Sequence, residues 1–244
     1  MTTSKITYKL RLTEKEYLAE GTMGFHFEKP AGFQFKAGQY VDVTLIHPTD
    51  VDSSGSIRSF SIASSPEDPD LLFATRMRDS AFKRVLKASP YGTEVEMEGP
   101  MGSFTLHNKI DKPAVFLAGG IGITPFLSMV RHATQARLPH DLSLFYSNRR
   151  PEDAAFMRNL ETLENENSRF CFVPSMTEME KSQHAWTGET GFIDQQMLGR
   201  YLPDLKGPIY YTAGPPAMVA AMRHMLNAAG VDDDDVRAEE FAGY

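Results

Sequence analysis

Leu117-Ala-Gly-Gly-Ile-Gly-Ile-Thr-Pro-Phe126 is the stretch that decides how this chain folds. Just ahead of it, 114–118 is a short, wholly apolar run, as in a strand buried on both faces. Just after it, 125–137 carries apolar residues at helical spacing. Thr124 is a good helix N-cap and Pro125 suits the first helical position. The segment therefore predicts a strand, a glycine-rich turn and a helix. Free N–H groups and the dipole at such a helix start attract an anion. Gly119, Gly120 and Gly122 lack the Cβ atoms that would hold a pyrophosphate off the backbone. Pro125 replaces the third glycine of the common G-x-G-x-x-G fingerprint. Taken alone, the turn also fits a strand–helix connection that binds nothing.

Downstream, strands predicted over 142–146, 169–173 and 209–212 alternate with helices over 154–163 and 216–228, the pattern of a doubly wound parallel sheet. Upstream the pattern is different. Short β-branched or aromatic runs over 6–12, 23–27, 40–45, 57–63, 71–78 and 95–99 are punctuated by Gly32, Gly38, Gly55 and the serines at 53–56. Only 80–88 reads as a helix. Many short strands without alternating helices predict an antiparallel sandwich or barrel. The fold class expected is a two-domain protein, an antiparallel β-barrel over 1–109 followed by a Rossmann-like α/β parallel sheet over 110–244.

Composition narrows the function. The 244 residues carry 25 basic and 32 acidic side chains, a net charge of −7. Nucleic-acid binders need a basic face, so this balance argues against one. A single cysteine, Cys171, excludes an intrachain disulfide, a cluster held by four thiolates and a zinc site built on paired cysteines. It sits between Phe170 and Phe172 and reads as a packing residue. His107, His132, His140, His184 and His224 show no metal-ligand spacing, so no metal is expected. The N-terminus lacks the apolar core of a signal peptide, and no apolar run approaches the roughly 20 residues of a membrane span. A reduced, soluble, cytoplasmic protein is expected. The acids at 232–235 read as a solvated loop, the methionines as core filler, and Trp186 as part of a structural turn.

Four further motifs carry chemistry. In Arg58-Ser-Phe-Ser61, a strand places Arg58 and Phe60 on one face, Ser59 and Ser61 on the other. The guanidinium fork suits phosphate, and the phenyl ring offers a surface for a flat heterocycle. Glu98-Gly-Pro-Met-Gly-Ser-Phe104 is a tight turn. Tyr211-Thr-Ala-Gly-Pro-Pro-Ala-Met218 is a second strand–turn–helix at the carboxyl edge of the sheet, where open α/β folds bind ligands. Glu239-Glu-Phe-Ala-Gly-Tyr244 closes the sequence with carboxylates and two aromatics.

In this order and spacing, the motifs resemble those of the ferredoxin–NADP reductase superfamily, over nearly the whole chain. The resemblance implies an enzyme with FAD at the cleft between a flavin-binding barrel and an NAD(P)H-binding domain. It implies that Arg58 contacts the flavin phosphates, that Phe60 stacks on the ring system where relatives usually have tyrosine, and that Ser61 bonds near flavin N5. Ser59 and Ile62 belong to the same cofactor strand. Ser80, Ala81 and Phe82 match the helix start that receives the flavin pyrophosphate. Gly119, Gly120, Gly122 and Thr124 match the pyridine-nucleotide loop, and Gly214, Pro215 and Met218 the segment beside the nicotinamide. Glu240 and Phe241 match the acid and aromatic that close over the flavin. Ser61 and Glu240 are the candidate catalytic residues, tuning the flavin and relaying a proton.

Two departures stand out: Ala213 replaces the cysteine often found before the Gly-Pro, and the sequence has no ferredoxin-type cysteine cluster. Electrons must then pass to a separate acceptor such as a ferredoxin, a flavodoxin or an oxygenase component. Lys83, Arg84 and Lys87 are a candidate basic patch for an acidic one. A ferric or free-flavin reductase, or a non-catalytic flavin- or nucleotide-binding module, are the alternatives. Ser147, Arg149 and Arg150 after the second strand favour NADPH. The third strand lacks the Ser-Arg pair usual in NADP-specific relatives, so the donor stays open between NADH and NADPH.

Overall fold

The computed structural model describes residues 7–241. The chain runs β1 (Thr7–Ala19), β2 (Thr22–Glu28), β3 (Tyr40–Leu45), β4 (Ile57–Ser61), β5 (Asp70–Arg76), α1 (Ala81–Ala88) and β6 (Glu94–Met101) in its first half. The second half runs β7 (Ala114–Gly119), α2 (Ile123–Gln135), β8 (Leu142–Asn148), α3 (Met157–Glu166), β9 (Phe170–Met176), β10 (Glu189–Thr190), α4 (Gln195–Tyr201), β11 (Ile209–Gly214), α5 (Pro216–Ala228) and β12 (Val236–Glu240).

The first six strands form one sheet in the order β4-β3-β6-β1-β2-β5, antiparallel throughout. The sheet curls until β4 and β5 come together. Alternation fills its interior: Val41, Val43 and Leu45 point inward from β3, and meet Leu10, Leu12, Phe25, Phe27, Phe73 and Met97. The outer face is polar where it meets solvent, while Leu72 and Ala74 on the outside of β5 join the core of the second half. The remaining strands form a parallel sheet in the order β10-β9-β8-β7-β11-β12. Both of its faces are covered. Phe116 and Ala118 pack toward Phe126 and Leu127 on one side, and Val115 and Leu117 toward Met222 and Leu226 on the other. Strands wind outward from β7 in both directions, so the topological switch lies between β7 and β11.

The structure extends the sequence reading in several places. β1 runs to Ala19 rather than ending at 12, because register shifts between Leu12 and Glu14 and between Tyr17 and Ala19 let a charged, bulged stretch keep pairing with β2. β12 and α4 were not anticipated. α2 begins at Ile123, and the Thr124 hydroxyl donates to the Ile121 carbonyl at 3.1 Å instead of capping the helix. The cause is a 3-10 turn over Gly120–Gly122 that runs straight into α2 and takes over the work of an N-cap. α3 starts at Met157, after Ala154, Ala155 and Phe156 have been buried as a turn. The acids at 232–235 do lie at the surface, but within a 3-10 turn where Asp233 pairs with Arg223 and Asp235 with Lys112.

Candidate active site

Two cavities meet where the sheets abut. The larger, about 680 Å³, opens at the carboxyl ends of β7, β8, β9 and β11. Gly119 and Gly120 border it on one side, Ser147, Asn148, Arg149 and Thr177 on another, and Pro215, Met218 and Met222 along α5. The smaller, about 350 Å³, lies against the barrel and is bordered by Arg58, Ser59, Phe60, Ser61, Ser80 and Lys83. Ile121, Thr124 and Phe241 close it from the second domain. The glycine turn is therefore a shared wall, with Gly119 and Gly120 on one cavity and Ile121 and Thr124 on the other. Arg76, the last residue of β5, and Arg78, just beyond it, border both.

The glycines have a second use. A Cβ on Gly122 would meet the Ala213 carbonyl oxygen at 2.3 Å, and one on Gly119 would meet the Met218 sulfur at 2.2 Å. Gly119 and Gly122 thus let the β7–α2 and β11–α5 turns touch, whereas Gly120 takes a left-handed φ of 53° that only a glycine adopts at little cost. Gly214 belongs to the same turn-to-turn contact, with Gly119 backbone 3.2 Å from a Cβ placed on it.

The strand motif divides between cavity and core. Phe60 is only 8% exposed, with its ring 5.8 Å from Phe73 and 5.9 Å from Phe82, yet it still borders the smaller cavity. Ser61 is buried at the same wall, and the Ser59 hydroxyl donates to Asp42 at 2.5 Å. Ile62, Ala81 and Phe82 are fully buried in the packed interior and do not border the cavity. Ser80 caps α1 as the sequence implied, its oxygen accepting the Lys83 N–H at 3.3 Å. Lys83 loses basicity through burial and through the nearby Arg78 and Arg58 charges.

The two acids near the end of the chain have different surroundings. β12 pairs in parallel with β11, Glu239 beside Ala213 and Glu240 beside Gly214. Phe241 borders the smaller cavity, and on a strand Glu239 shares its face while Glu240 points away. Glu240 is exposed; Glu239 is half-buried against Gly102, Ser103 and Phe104, with Oε2 lacking any hydrogen-bond partner. Burial pushes its carboxyl up to about 7. Tyr244, counted with this motif in the sequence, lies outside the described residues.

The arginine pair divides as well. Arg149 borders the larger cavity with 55% of its side chain exposed, its nearest acid, Asp153, 4.0 Å away. Arg150 lies outside that cavity, held by Asp153 at 2.9 Å and by Glu20 at 2.8 Å. Sequence reasoning missed much of the larger cavity's lining, Arg76 and Arg78 among it. Phe192, 78% exposed, stands on its rim. Asn148 is 6% exposed, and neither its amide nitrogen nor its oxygen makes a hydrogen bond. Met222 was read as core filler but borders the cavity. An aromatic directly after the Thr-Gly pair at 190–191 was the available signal for Phe192.

An antiparallel barrel, a parallel doubly wound sheet, and paired cavities sharing a glycine turn define a two-domain flavin- and nicotinamide-dependent oxidoreductase. Family models agree: residues 9–106 match the oxidoreductase FAD-binding domain and residues 116–224 the oxidoreductase NAD-binding domain. The chain thus carries the FAD-binding and NAD-binding domains of oxidoreductases, on a ferredoxin–NADP reductase-like fold. It is 31% identical over 226 residues to the glycine betaine monooxygenase reductase subunit of Chromohalobacter salexigens, covering 90% of this chain and 60% of that one. It is 29% identical to the propane 2-monooxygenase reductase component of Rhodococcus jostii, covering 87% of this chain and 57% of that one. The chain thus spans about 60% of the length of such relatives. The fold matches that of the Amycolatopsis cytochrome P450 reductase GcoB, with TM-score 0.81 and 24% identity, over 98% of this chain and 71% of that one. It also matches a ferredoxin NADP+ reductase from Neisseria gonorrhoeae, with TM-score 0.78 and 19% identity, over 96% and 98% of the two chains. Among the described residues no cluster of side chains fits a metal ion, and no helix is long and apolar enough to cross a membrane.

Proposed function

We propose that this chain is the reductase part of an electron-transfer pair, taking a hydride from NADH or NADPH and delivering electrons to a separate protein acceptor. Residues 1–109 hold the flavin and residues 110–244 the nicotinamide nucleotide. The observation that carries this reading is the shared wall. One glycine turn separates two cavities, and Arg76 and Arg78 reach both. A nicotinamide lodged beside Gly119, Pro215 and Met218 would lie within one turn's thickness of a flat ring lodged beside Phe60 and Phe241.

FAD, when bound, supplies the hydride-accepting and electron-storing chemistry. The chain's own residues bind, orient and exclude water. Arg58, Arg76, Arg78 and Lys83 concentrate positive charge around the smaller cavity, the donor set that phosphates require. Ser61 offers a hydroxyl at the buried end of that cavity. Glu239, next to Glu240 on β12, lines a neighbouring cavity beside Gly102, Ser103 and Phe104, and burial places its ionisation near neutrality, which suits it to hold a proton close to the flavin site. In the larger cavity Phe192 is the surface for adenine, and Arg149 the cation for a nucleotide phosphate. The relatives, named as reductase parts of monooxygenases, support the protein acceptor.

Anaerobic titration with NADH and NADPH in parallel tests the reading, following the flavin band near ~450 nm. Bleaching by one nucleotide is expected and names the donor. A protein that is colourless, or coloured but inert to both, would overturn the assignment.

A further inference from the structure

We propose that Asp52 is a built-in competitor for flavin phosphate and sets how tightly phosphorylated flavins are held. The inference rests on the flavin reading above and deepens it at the same cavity.

The two groups that the sequence assigns to the flavin phosphates are the start of α1 and the Arg58 guanidinium. Both already hold a carboxylate. Asp52 Oδ2 accepts the Ala81 N–H, the first of α1, at 2.8 Å. Asp52 Oδ1 accepts the Ser54 N–H at 2.9 Å and lies 3.4 Å from Arg58 Nη2. Arg58 Nη1 donates to the carbonyls of Ser54, Gly55 and Ile57 at 2.8, 3.0 and 2.7 Å. The loop ahead of β4 is thus wrapped around the guanidinium, and its own acid sits where an incoming anion would sit. The Lys83 N–H is taken by Ser80. Of the first three N–H groups of α1, Asp52 and Ser80 therefore occupy two.

A carboxylate and a phosphate cannot share these donors. Asp52 is held ionised, because the Ala81 and Ser54 N–H groups and Arg58 all favour its charged form. A phosphate arriving at Arg58 must displace it or bind beside a like charge, and either weakens binding. Displacement is open to this loop. Val51 is 58% and Ile57 53% exposed, so moving the segment uncovers little packed apolar surface. The consequence is a flavin whose ring is recognised by the cavity but whose phosphates compete with a side chain of the protein. Such a flavin exchanges more readily than the surrounding cationic groups imply.

The full chain, freed of flavin, is titrated with FAD, FMN and riboflavin, as wild type and as Asp52→Asn. Asparagine removes the charge and keeps one of the two acceptor oxygens, for either the Ala81 or the Ser54 N–H. Asp52→Ser repeats the measurement if the asparagine variant does not fold. Loss of the charge is expected to lower Kd for FAD and FMN about tenfold at low salt, with a smaller effect at high salt. Riboflavin, which has no phosphate, should bind both proteins equally. An unchanged or weaker FAD affinity in the variant overturns the proposal, as does an equal gain for riboflavin. If neither protein binds any of the three, the flavin reading itself fails. Binding of all three without dependence on Asp52 sinks this inference alone.

Discussion

Glu239 and Glu240 are chemically identical neighbours that the backbone assigns opposite surroundings. Because side chains alternate along a strand, a shift of one residue exchanges the two faces. Sequence alone could not choose between them, since strand β12 was not evident in a run of acids. Glu239→Gln should flatten the pH dependence of flavin reduction around pH 7, where burial has placed its carboxyl; Glu240→Gln should leave the profile unchanged. The stability effect has a definite sign. A carboxyl whose ionisation is raised on folding stabilises fully below about pH 4.5, and that contribution is lost as pH rises through about 7. The loss is of the order of 1–3 kcal/mol, and the glutamine variant should not show it in denaturant titrations across that window. Ser61 is buried at the cavity wall. Ser61→Ala should slow flavin reduction by roughly tenfold in stopped-flow traces, the scale of a lost positioning contact; an unchanged rate would remove it from the mechanism.

Elements with clean periodicity were legible from sequence, and those held by tertiary contacts were not. Strands β3, β7 and β8 read correctly because each is an alternating or wholly apolar run. The second half of β1 did not, because Glu14, Lys15 and Glu16 resemble a turn and form a strand only by pairing with β2. The same pairing explains the state of His26. It lies 3.0 Å from Glu16 and 2.5 Å from Asp70 across β1, β2 and β5. The Glu16 contact and then Asp70 outweigh burial and raise the imidazole to about 9. That stabilisation is complete below about pH 6.5 and is lost as pH rises through about 9. Both acids are more than a third exposed, so about 1 kcal/mol is the scale. His26→Gln should abolish that loss in urea titrations between pH 7 and 10. The glycine turn was legible as a motif, but its packing was not. No sequence pattern shows that Gly122 abuts the Ala213 carbonyl. Gly122→Ala sets one backbone against another with no side chain free to yield. It should cost about 2 kcal/mol or more, read as a fall in melting temperature.

Across the whole molecule, the two sheets are joined by a seam that sequence placed in a binding site. Asp153 is 5% exposed and is faced by Arg150, Arg149 and Arg76. Burial works against its charge, but Arg150, then Arg149 and Arg76, outweigh that and hold the carboxyl low. Arg150 also reaches Glu20, in the β1–β2 turn of the barrel, where the Glu20 N–H donates to the Glu152 carbonyl at 2.7 Å. α2 makes a further attachment, with Arg131 at 2.9 Å from Asp68 and Ser128 donating to the Ser64 carbonyl at 2.6 Å. These contacts pin the domains together, along with His107 to Tyr211 and Arg237 to the Thr105 carbonyl. Of the adjacent arginines that the sequence presents as an equivalent pair, Arg150 serves domain docking, and Arg149 is the one proposed for a nucleotide phosphate. Their variants should separate the two uses. Arg150→Ala leaves a buried carboxylate with two weaker partners and should cost about 1–3 kcal/mol of stability, while nucleotide affinity stays within about twofold, below ~0.5 kcal/mol. Arg149→Ala removes an exposed, weakly paired cation and should barely change the melting temperature. It should weaken binding of the physiological donor by roughly tenfold, the scale of one lost charge-assisted phosphate contact. Parallel melting curves and nucleotide titrations decide it. Equal effects of both variants on binding would return Arg150 to the nucleotide site.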